Sequence, residues 1–109
     1  MKTEYITVIV TTAGEDDAAK IGRTLVDEKL AACANIVKGI RSIYRYDGEV
    51  FDEPECMMII KTVAANFDAV EKRVRELHSY EVPEVIALPI LNGSVPYLGW
   101  LKENTAAPA

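Results

Sequence analysis

The sequence predicts an α+β fold: four strands and two helices in the order β-α-β-β-α-β, with a short third helix near the C-terminal end. Three observations carry that reading. The β-branched run YITVIVTT at residues 5–12 and the apolar run EVIALPIL at 84–91 read as the first and last strands. Two long runs, residues 33–46 and 49–62, meet at Asp47-Gly48, a pair that favours a two-residue hairpin. Phe67, Val70, Val74 and Leu77 recur at helical spacing, with Lys72, Arg73, Arg75 and Glu76 between them.

Taken in order, the first strand stops before Ala13-Gly14. Glu15, Asp16 and Asp17 then place negative charge where a helix N-terminus favours it. The helix that follows carries Ala18, Ile21, Gly22, Leu25, Val26 and Leu30 in one stripe, and no glycine or proline marks its end near residues 30–32. The hairpin turn pairs Tyr46 with Glu49, Cys56 with Gly39 and Cys33 with Thr62, while Pro54 predicts a bulge or break beyond which this register slips. On that register the two thiols lie roughly 20 Å apart, too far for a disulfide. The second helix ends near His78, and Pro89 places the last strand at a sheet edge. Asn92-Gly93 turns the chain, Ser94 caps the short helix VPYLGWLKE, and the tail TAAPA is expected to fray.

Composition sets the outer bounds. The 109 residues make one domain, 1–109, with residues 4–104 as its expected ordered part, and half of them are hydrophobic. Seventeen acidic against twelve basic side chains leave a formal charge of −5, with no Lys/Arg cluster to attract a phosphate backbone. No signal-peptide pattern or run approaching the ~20 apolar residues of a membrane span is present. The expectation is a cytoplasmic protein with neither nucleic acid nor a membrane as partner. Cys33 and Cys56 read as free thiols packed as small core residues.

Two crossovers joined by a hairpin give the ferredoxin-like arrangement, a four-stranded antiparallel sheet with both helices on one face. Such a sheet ordinarily alternates apolar and polar residues. Here both parities are apolar: Ile6, Val8 and Val10 alternate with Tyr5 and Ile9, Met58 and Ile60 with Met57 and Ile59, Val85 and Ala87 with Ile86 and Leu88. Leaving several such side chains wet forfeits ~1.5–3 kcal/mol each, so another subunit is expected to cover the second face.

The segments LVDEKLAACANIVKGIRSIYRYDGEV, MIIKT and LHSYEVPEVIALPILNGSVPYLGWL closely resemble the CutA divalent-cation tolerance family, from about Ile6 to Leu101. The resemblance implies a homotrimer akin to PII signalling proteins, linked to tolerance of copper and other divalent cations and without catalytic activity. It also implies a metal site built from a cysteine late in strand one and a His-His pair at the end of helix two. Here those positions are Val10, Leu77 and His78, so His78 is the one candidate ligand for copper or another divalent cation. Ser79 stands where a proline is common, and Tyr46 where many members carry tryptophan.

His78 has a second reading, since the macrodipole stabilises a histidine at a helix C-terminus without any ligand. Tyr80, Glu81 and Glu84 flank Pro83 at the same end and read either as a solvated loop or as part of an intersubunit ligand cleft. Met57 and Met58 point to opposite faces and cannot both join Cys56 in a thioether site. Lys61 sits at a buried end or in a cleft. A PII-like sensor of a small ligand is the alternative function, although no Gly-rich phosphate loop is present. Acylphosphatases share the topology, but TTAGEDD replaces their arginine-bearing phosphate loop.

Overall fold

The computed structural model describes residues 3–106. The elements follow the expected order: β1 (Tyr5–Thr12), α1 (Glu15–Asp27), β2 (Cys33–Tyr46), β3 (Glu49–Val63), a 3-10 turn (Ala64–Asn66), α2 (Phe67–Leu77), β4 (Val85–Pro89) and α3 (Val95–Glu103). They form one antiparallel sheet in the order β2-β3-β1-β4 with ferredoxin-like connectivity. β4 is an edge strand, where Pro89 leaves no inner ladder bond unmade. β4 is also shorter than the run 84–91 suggested.

Both helices cover one face. Ile6, Val8 and Val10 from β1 and Met58 and Ile60 from β3 join Ile21, Leu25, Val70 and Val74 in the core. Val26 is the exception in the expected stripe of α1 and is exposed. That helix ends earlier than the apolar stripe suggested, because Lys29 adopts a left-handed backbone (φ 60°), and the Leu30 N–H returns to the Leu25 carbonyl at 2.9 Å. Glycine adopts that conformation at less cost, but lysine holds the position here, so no breaker marks the helix end. At α3 the Ser94 hydroxyl accepts from the Tyr97 N–H, the expected cap, and Leu101 is fully buried.

The tail is not frayed at its start. Ala106 donates to the Lys29 carbonyl at 2.8 Å and accepts from Asn66 Nδ2 at 2.9 Å. The rest of the expected frayed tail, Ala107–Ala109, lies outside the described residues.

The hairpin turns at Asp47 and Gly48, both with positive φ, as the dipeptide predicted. Its register holds from Tyr46↔Glu49 to Ile40↔Glu55 and then slips by one residue. Lys38 and Gly39 together oppose Cys56, and Gly39 (φ +75°) supplies the left-handed position of the bulge. The slip lies just beyond Pro54, as expected, but the extra residue is on the partner strand. Cys33 therefore faces Lys61, not Thr62, and Cys56 has no single partner in Gly39.

This bulge has a structural consequence. In a regular strand, residues four apart share a face. Ile36 pairs with Met58 on the helix-covered face, whereas Ile40 pairs with Glu55 on the other, so the bulge turns Ser42 and Tyr44 onto the open face.

Candidate functional site

The loop 78–84 crosses the end of the sheet where β1 finishes, and His78 anchors it. Its backbone leaves the helix in an extended conformation (φ −76°, ψ 144°) while its N–H still donates to the Val74 carbonyl. Ring Nε2 lies 2.7 Å from the Thr11 carbonyl, and Nδ1 accepts from the Tyr80 N–H at 3.0 Å. That pair of partners is met by the tautomer with hydrogen on Nε2. The imidazole also packs against the Tyr80 ring at 4.7 Å between centroids.

Tyr80 extends from this anchor over the open face. Its hydroxyl donates to Glu55 Oε2 at 2.7 Å. Burial first, then the bond to Glu55 and the nearby carboxylates, push the Tyr80 phenol well above the ordinary tyrosine range. Glu55 is only 7% exposed, takes part in no ion pair among the described residues, and has Tyr80 as its one hydrogen-bond donor there. Beside this pair is a cavity of about 590 Å³, onto which Tyr44, Tyr46, Glu81 and Glu84 also open. Tyr44 is there because of the Gly39 bulge. Sequence reasoning found Tyr80, Glu81 and Glu84 but missed Glu55. Strand parity held the signal, since the alternation that places Met57 and Ile59 on the open face places Glu55 there too.

The other candidates separate. Val10 is fully buried between Met58 and Val85, and Leu77 packs against the core. Both are at His78's end of the subunit, and neither carries a donor. Cys33 is at the far end beside Lys61, whose Nζ donates to Asn35 Oδ1, an oxygen that also lies 3.6 Å from the Cys33 thiol. Lys61 is half-buried on the open face and does not line the cavity. Cys56 and Met58 are buried on the helix face, with Met57 on the opposite one. Among the described residues no group of three or more His, Cys, Asp or Glu side chains converges on a point where a metal could sit. One imidazole with both nitrogens hydrogen-bonded does not fit a resident metal ion.

Residues 6–104 match the family model described as CutA1 divalent ion tolerance protein. The chain is 48% identical over 98 residues to the divalent-cation tolerance protein CutA of Thermus thermophilus, covering 90% of this chain and 95% of that protein. It is 45% identical over 100 residues to the chloroplastic protein CutA 1 of Oryza sativa, covering 92% of this chain and 56% of the rice protein, so it spans about half the length of that relative. Among solved structures, the divalent cation tolerance protein of T. thermophilus superposes with a TM-score of 0.91 at 46% identity, covering 94% of this chain and 99% of that one.

Proposed function

Because the chain belongs to the CutA1 divalent ion tolerance family, we propose that it serves divalent-metal tolerance as a non-enzymatic homotrimer in the cytoplasm. The observation that supports assembly is the apolar face left open by a single subunit. Ile86 and Leu88 of β4 stand 51% and 52% exposed there, beside Ile9 and Thr7. Closing three such faces on one another removes the cost of leaving them wet. Among the described residues no helix is long and apolar enough to cross a membrane.

Direct metal contact is confined in this proposal to His78 and is weak. Copper at Nδ1 must displace the Tyr80 N–H, and copper at Nε2 must displace the link to Thr11. Either loss leaves a part-buried backbone group unpaired, at about 1–3 kcal/mol. Copper titration of untagged protein and of His78→Ala tests this. Weak binding abolished by the substitution supports the assignment, whereas equal binding by both proteins removes His78 from it.

The second reading is a PII-like sensor that holds a small ligand in a cleft between subunits. The cavity at Tyr80 favours it. A ligand bound to the folded assembly must raise its melting temperature, so thermal shifts against a metabolite panel separate the two readings.

A further inference from the structure

We propose that the Tyr80–Glu55 cavity binds a small organic cation, an ammonium head carried on an apolar alkyl or aryl body. The inference deepens the cleft-ligand reading above and does not depend on metal tolerance.

The residues around the cavity supply carboxylates and phenols: Glu55, Glu81, Glu84, Tyr44, Tyr46 and Tyr80, with no lysine or arginine among the described residues lining it. An anion entering there meets three carboxylates and nothing to neutralise it. This disfavours the phosphate-bearing ligands that a PII-like shape would otherwise suggest. A bare divalent ion is also poorly served, because the carboxylates do not converge.

Glu55 points to the sign of the missing partner. The residue is only 7% exposed, its Oε2 takes one bond from a neutral phenol, and its Oε1, with no hydrogen bond among the described residues, is not sealed from solvent where Glu55 lines the cavity. A buried carboxylate is costly unless a cation or several donors answer it. Arg41, which follows Glu55's strand partner Ile40, is already held by Asp52 through two bonds of 2.7 and 2.6 Å. A ligand ammonium meeting Oε1 completes the carboxylate's partners. Tyrosine rings attract such a cation through their π faces, and Ile43 and Val82 offer apolar wall for its body. The volume, about 590 Å³, is within the range of sites for small organic molecules.

The test compares three probes of one shape on the purified assembled protein by calorimetric titration: phenethylammonium, neutral 2-phenylethanol and anionic phenylacetate. Phenethylammonium is expected to bind once per subunit, at least about tenfold more tightly than the alcohol, with phenylacetate weakest. Glu55→Gln is expected to remove that preference. Glu84→Gln, at the exposed rim, should lower it a few-fold without risk to the fold. If the alcohol or the acid binds as tightly as the amine, the cleft holds a ligand but not a cation, and this inference fails while the cleft reading stands. If no probe binds and Glu55→Gln changes only the melting temperature, the carboxylate is answered by another subunit and both fail. Unchanged amine binding in folded Glu55→Gln overturns the inference as well.

Discussion

Val8 and Ile9 are neighbours in β1 and nearly equal in apolarity, yet they belong to different economies of burial. Val8 points at α1 and α2 and is fully enclosed, whereas Ile9 points to the opposite side of the sheet and is only partly buried. The contrast runs through the whole sheet, with Met58 against Met57 on β3 and Val85 against Ile86 on β4. The helix-covered face is completed by local chain. The open face is apolar in composition but only partly covered, and at one end it carries a cavity with a buried carboxylate. Folding of the single subunit accounts for the first face, and the second is the one on which the proposed assembly depends.

The largest effect should come from breaking the open face. Changing Ile86 and Leu88 together to lysine places two charges where the proposed trimer closes, and a charged side chain buried there without a partner is not tolerated. The expected outcome is loss of the assembly to a 12.0 kDa species in sedimentation. A mass unchanged from wild type would show that this face is not the interface.

The covered face should respond in a different currency. Met58→Ala removes a fully buried side chain between β1, β2 and the helices. A loss of about 2–5 kcal/mol is expected from the cavity and the lost transfer energy. Denaturant unfolding at several protein concentrations checks this, with the assembled mass retained below the transition. If Met58→Ala instead dissociates the protein while leaving the subunit's unfolding unchanged, the division between the faces is wrong.

How much of this was legible in the sequence follows the range of the interactions. The Asp47-Gly48 turn, the Ser94 cap, the edge position of Pro89 and the stripe of α2 each depend on a few adjacent residues, and each was readable. The two-parity apolar pattern was readable for the same reason and foretold the open face. Lys29 was not, because a left-handed residue without glycine carries no composition signal. Gly39 was visible as a residue, but only Pro54 signalled the slip, and it did not say which strand carries the extra residue. The location matters, since the bulge decides which side Ser42 and Tyr44 face. Glu55 was missed because its meaning depends on Tyr80, which reaches it only after α2 has returned the chain. The position of His78 at a helix end was readable, whereas its two hydrogen bonds, to Thr11 and Tyr80, belong to the tertiary structure.

The smallest predicted effect sharpens the comparison at the point where the open face becomes polar. Burial and the Glu55 bond hold the Tyr80 proton above the ordinary phenol range. Above pH ~10, where an unfolded tyrosine ionises, the unfolded chain binds fewer protons at this position than the folded one. Stability contributed by Tyr80 is therefore complete below that pH and is lost as pH rises toward its folded value. Tyr80→Phe keeps the ring against His78 but has no such proton. Its stability should fall less steeply than that of wild type above pH ~10, with the two curves parallel near neutrality. Tyr97, whose value is also raised, is present in both proteins and cancels, whereas Tyr44 is coupled to Tyr80 and cancels in part. Unfolding midpoints across the alkaline range, read with the ultraviolet signal of phenolate, test the claim. Parallel curves throughout would mean that the Tyr80 phenol is neither buried nor held by Glu55 in solution.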